Sequence, residues 1–144
     1  MPLRINPIED IKDAYESKNY FTAFALASSY FEFGANLVLG TLFENRISLK
    51  KIGRWHLQTK IRKLVELDMI DQPTHDKIIE IIKIRNKLVH PVDIWENKEG
   101  RMQDIFLRYR LTEEEKASLL SFNECYAKLI EAYIRALAEK SKKQ

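Results

Sequence analysis

At 144 residues, 45% hydrophobic and 31% charged, the chain has the make-up of one globular domain with a core of its own. A net charge of +3 is too small to argue for a nucleic-acid partner by itself. The single cysteine, Cys125, excludes an internal disulfide framework and a cysteine-built zinc site, which suits a reducing cytoplasm. In chain order, Asn6-Pro7-Ile8-Glu9 combines a cap, a proline at the first helical position and an acid at the third. It predicts a helix from there to about Glu16, broken by Ser17-Lys18-Asn19. A second helix runs from Tyr20 to Glu44. Ile47 to Gly53 reads as a short irregular link, with Ser48 a candidate cap and Gly53 a breaker.

The third helix holds Leu57, Ile61, Leu64 and Val65 on one face, with Arg54, Lys60, Arg62 and Lys63 around it. Asp71-Gln72-Pro73-Thr74 opens the fourth helix. Between Pro91 and Arg110 there is a turn signal at Lys98-Glu99-Gly100. The alternation Ile105, Leu107, Tyr109 permits a strand, a loop or an irregular helix. Thr112 to Glu115 is a capping box for the last helix, on which Leu119, Phe122, Tyr126, Leu129, Tyr133 and Leu137 repeat at three- and four-residue steps. The expectation is an all-α, up-and-down bundle of four to five helices over residues 1–139, followed by a disordered basic tail at 140–144.

Phe21 to Phe43 is apolar over a membrane-spanning length but carries Glu32 and Asn36 near its centre. A mid-bilayer carboxylate costs about 2.5–3.5 kcal/mol on insertion scales, so the segment reads as a buried helix and no membrane partner is expected. No secretory signal opens the sequence, and the expected location is cytoplasmic.

Chemistry concentrates in Ile84-Arg85-Asn86-Lys87-Leu88-Val89-His90-Pro91, at the end of the fourth helix. Ile78, Ile81, Ile82, Leu88 and Val89 form an apolar stripe with Arg85 near its middle. A guanidinium there must meet a carboxylate, a phosphate or a polar cavity. Asn86 and His90 are four apart on an adjacent face, and Pro91 ends the helix at His90. Read as the motif of the family that its pattern resembles, the set would support metal-free RNA cleavage. His90 accepts the 2′-hydroxyl proton or donates to the leaving oxygen, Arg85 stabilises the phosphorane charge, and Asn86 orients the phosphate or the imidazole. No metal and no cofactor is called for.

The Arg-Asn-x-x-x-His pattern resembles the motif of the HEPN superfamily. The run from Lys60 to Pro91 also looks like the branch similar to mannitol operon repressor, with Asp68-Met69 in place of a glycine-containing pair. The resemblance implies a homodimer whose cleft holds two motif copies, acting as an endoribonuclease of the toxin or defence kind, with a nucleotidyltransferase-like antitoxin as candidate partner. It equally admits a non-catalytic dimerisation, nucleotide-binding or regulatory module. Glu32, in a helix face of Ala25, Ser28, Ala35 and Leu39, either pairs with Arg85 across the bundle or orients it toward a phosphate. In the resembled family an acid on that helix accompanies the motif.

Between Asn45 and Val65 stand Arg46, Lys50, Lys51, Arg54, Lys60, Arg62 and Lys63 with no acid among them. The block, Arg54, Lys60, Arg62 and Lys63 above all, either tracks the backbone of a single-stranded RNA, with Trp55 and His56 stacking on bases, or is a solvated surface over a buried tryptophan. His56 and His75 lack metal-ligand spacing.

Overall fold

Four of the capping signals in the sequence are met in a computed structural model of the chain, which describes residues 6–44, 47–89 and 111–142. Asn6 accepts from the Glu9 N–H at 3.2 Å and opens α1 (Pro7–Glu16). Ser48 accepts from the Lys51 N–H at 3.1 Å. Asp71 accepts from the Thr74 N–H at 2.9 Å and opens α5 (Gln72–Val89). Thr112 and Glu115 exchange both bonds of the capping box at the head of α6 (Glu113–Ala117). Each cap satisfies amide donors that the first helical turn leaves without an intrahelical partner. The other helices are α2 (Tyr20–Leu42), α3 (Leu49–Gly53), α4 (Leu57–Glu66) and α7 (Phe122–Lys142). The fold is all-α, with no strand among the described residues.

Three elements depart from expectation. The link at Ile47 to Gly53 contains the one-turn helix α3, because Ser48 supplies a working cap there. The last helix is interrupted by a 3₁₀ turn at Ser118–Ser121. There the Ser118 and Ser121 hydroxyls donate to the carbonyls three residues back, at 2.6 and 2.8 Å, which favours the tighter winding. Finally, α7 extends through Lys142, and Lys140 pairs with Glu44 of α2's C-terminal turn, so residues 140–142 are helix rather than tail. The strand, loop or helix alternatives for 91–110 lie outside the described residues.

The core forms around α2, which packs against α1, α4, α5 and α7. Its Ala23, Phe24, Ala27, Phe31, Ala35, Val38 and Leu39 are fully buried. Small residues let the neighbours come close: a Cβ on Gly34 would meet Leu129 of α7 at 3.2 Å. Burial along α7 follows Phe122, Cys125, Leu129, Ala132 and Ala136, while Leu137 is exposed. The seam is thus rotated from the expected stripe toward the small residues. Tyr126 flanks it, stacked on Phe122 at 5.4 Å. Burial pushes the Cys125 thiol up to about 11, so it is no nucleophile at neutral pH.

The turn from α4 to α5 fixes the direction in which α5 returns. Asp68 takes a left-handed conformation, φ 62°. The Met69 N–H donates to the Leu64 carbonyl at 2.8 Å and the Asp68 N–H to Val65 at 3.0 Å, a Schellman stop. A position that favours glycine is therefore occupied by an aspartate, one of the few side chains that tolerate it. The Arg135 guanidinium on α7 donates to the Met69 carbonyl and ties the turn to the bundle.

Two capping carboxylates couple the fold to pH. Hydrogen bonds from Thr74 hold Asp71 below the usual carboxylate range, and the Thr112 backbone N–H does the same for Glu115. A carboxylate depressed in the folded state contributes stability that is present above its unfolded pKa, about 4, and lost as pH falls through the folded value. Thermal unfolding followed from about pH 5 to pH 2 should show a loss of stability toward acid. Asp71→Asn keeps the acceptor for Thr74 but cannot titrate, so its curve should be flatter. Parallel curves for the two proteins would remove Asp71 from the acid limb.

Candidate functional site

Helix α2 carries a polar line through its apolar body: Ser28, Glu32 and Asn36 stand at four-residue steps and share one face. Opposite lies the end of α5, where Ile78, Ile81, Ile82 and Ile84 are buried and Arg85 and Asn86 are half-buried. The joint between α3 and α4 closes a third side. Trp55 is held there edge-on against Phe43, with ring centroids 6.5 Å apart. His56 stands at the N-cap of α4, where its side chain makes no capping hydrogen bond.

Two concavities result. The first, about 380 Å³, is bounded by Glu32, Trp55, His56, Gln58, Arg85 and Asn86. The second, about 550 Å³, is bounded by Ser28, Ser29, Glu32, Phe33, Asn36 and Arg85. Both have the size of a small-molecule site, and Glu32 and Arg85 form the wall they share. Arg85 and Asn86 thus both line the first concavity. His90 lies outside the described residues.

The expected ion pair between Glu32 and Arg85 is not the one formed. Glu32 pairs with Lys60 of α4 at 3.7 Å, and Lys60 is only 1% exposed. Lys60 is therefore no phosphate contact on an open surface, which corrects its reading as an RNA-binding residue. It shares the buried face of α4 with Leu57, Ile61 and Leu64, at the spacing of the buried seam. Of the other residues in the basic block, Arg54 and Arg62 are exposed, Trp55 is half-buried, and Lys63 pairs with Glu66 at 3.6 Å. Trp55 and His56 line the first concavity beside Arg85, a placement that the basic block alone did not indicate. His75 Nδ1 lies 2.9 Å from Asp76 and 3.1 Å from Gln72, in a concavity on the other side of α5.

Arg85 Nε, Asn36 Oδ1 and Ser28 Oγ are buried and find no hydrogen-bond partner among the described residues. Each such atom costs about 1–3 kcal/mol, and buried polar groups elsewhere are almost always paired. All three belong to residues that line the second concavity. The two charged residues of the shared wall, Glu32 and Arg85, carry opposite signs, and Glu32 is already paired with the buried Lys60 ammonium.

Compared with known proteins, the chain matches no family model, no curated protein and no solved structure. No helix among the described residues is long and apolar enough to cross a membrane.

Proposed function

We propose that this chain is a HEPN-type, metal-independent endoribonuclease acting as a homodimer. The observation that supports this reading most is that Arg85 and Asn86 share one concavity with Trp55 and His56, while the buried Arg85 Nε has no partner among the described residues. A guanidinium held on a helix, with its Nε donor unspent among the described residues, suits a phosphate whose charge grows in the transition state.

In the proposed reaction the ribose 2′-oxygen attacks the adjacent phosphorus while a neutral His90 takes its proton. Arg85 carries the added negative charge of the phosphorane, and Asn86 orients a phosphate oxygen. The bond to the 5′-oxygen then breaks, and that oxygen takes a proton from the protonated His90 of a second copy. The products are a 2′,3′-cyclic phosphate and a 5′-hydroxyl. The unperturbed histidine pKa, near 6.5, allows both protonation states to be populated near neutrality. Arg54, next to Trp55 in the chain, and Arg62 are exposed and would be available to the backbone of a single strand.

The test is cleavage of a mixed single-stranded RNA pool in EDTA by the wild type and by Arg85→Ala and His90→Ala, matched for folding and association state. Cleavage by the wild type alone, leaving 2′,3′-cyclic ends, is the expected result. Failure of the folded wild type to cleave any RNA in the pool would transfer the site to a binding or regulatory role.

A further inference from the structure

We propose that the second concavity, bounded by α2 and by Arg85 of α5, is a nucleobase-binding subsite in which Ser28, Asn36 and Arg85 read the edge of a base and Phe33 supports its face. The inference deepens the ribonuclease reading and rests on it for the phosphate that Arg85 would hold in the adjoining concavity.

Three residues that line this concavity each carry a buried polar atom without a partner among the described residues: a guanidinium donor, an amide oxygen and a hydroxyl that can donate or accept. Ser28 is 3% exposed, so its hydroxyl is no incidental surface group. A lone phosphate would use the donors and leave Asn36 Oδ1 opposed to a negative oxygen. A hydrocarbon would leave all three atoms unsatisfied. A base edge alternates carbonyl or ring-nitrogen acceptors with N–H donors, and so can satisfy a mixed set. Phe33 borders the same concavity and is 55% exposed, an aromatic surface of the kind on which unpaired bases stack. Arg85 belongs to both concavities, which puts a base on one side of it and a phosphate on the other, as a nucleotide requires.

The probes are adenosine and uridine 5′-monophosphates and, as the same sugar phosphate without a base, ribose 5-phosphate. Each is titrated into the full-length protein and followed by amide NMR, for the wild type, Asn36→Leu and Phe33→Ala. The mononucleotides should bind about 10-fold or more tightly than ribose 5-phosphate, as expected if one base stack is worth about a factor of ten or more. Both substitutions should remove that difference and leave ribose 5-phosphate binding unchanged. Phe33 is exposed enough that its alanine variant should remain folded.

Equal binding of nucleotides and ribose 5-phosphate would overturn the proposal. So would substitutions that change only the sedimentation behaviour, since the face would then belong to a second copy of the chain. RNA cleavage without base-dependent binding overturns this subsite and leaves the nuclease reading standing. Base-dependent binding without cleavage does the reverse.

Discussion

Glu32→Ala should lower the unfolding free energy by about 3 kcal/mol, while Lys60→Met should leave it within about 1 kcal/mol or raise it. The asymmetry follows from burial: Lys60 is 1% exposed, and its ammonium has the Glu32 carboxylate at 3.7 Å. Removing the carboxylate leaves a buried cation uncompensated, which costs about 3–5 kcal/mol. The lower end applies because the Glu32 side chain is 47% exposed, so solvent already screens its attraction for the ammonium. Methionine at 60 keeps a buried stem on the face that also buries Leu57, Ile61 and Leu64, and removes the charge that needed Glu32. Urea unfolding of the two single variants and of Glu32→Ala/Lys60→Met measures both effects and their coupling. The double variant should recover most of the loss in Glu32→Ala. An additive double variant would mean that the two groups are not energetically linked, and that Glu32 acts on some other partner.

This pair also shows how far the site was legible. Lys60 stands three residues after Leu57 and four before Leu64, so the same helical spacing that assigned the core face of α4 also assigned it a lysine. Counting it within a basic block hid that, because charge runs are read by composition and burial by angle around the helix. Ser28, Glu32 and Asn36 were likewise recoverable as one polar line at four-residue steps, though only Glu32 and Asn36 stood out from their apolar surroundings. The meeting of Trp55 and His56 with Arg85 was not recoverable. It depends on where the Schellman stop at Asp68 and the one-turn helix α3 direct the chain, and such turns are decided by a few backbone angles rather than by pattern. Helix starts were legible because each cap is a local bond within four residues. The 3₁₀ interruption at Ser118–Ser121 depends on serine hydroxyls choosing carbonyls of their own turn, a competition that periodicity does not register.

Arg85→Met should raise stability by about 1 kcal/mol, or about 3 °C in Tm for a chain of this size, while reducing RNA cleavage at least about 100-fold. Opposite signs are the point of the experiment. In the apolar stripe of Ile78, Ile81 and Ile82, Arg85 keeps a buried Nε without a partner, at a cost of about 1–3 kcal/mol. Methionine preserves the length of the stem and removes the orphaned donor, so the fold gains. In the proposed nuclease the transition state would lose the cation that carries the phosphorane charge, so the reaction should fail. A residue retained at the expense of stability is what a functional site predicts, whereas a structural arginine would be missed by the fold. Thermal unfolding and urea titration supply one axis and the RNA cleavage rate the other. A loss of more than about 1 kcal/mol in Arg85→Met would make the guanidinium part of the scaffold, and its effect on cleavage could then no longer be credited to chemistry. A stabilised variant that still cleaves RNA would remove Arg85 from the reaction and, with it, the phosphate anchor on which both the nuclease and the base subsite depend.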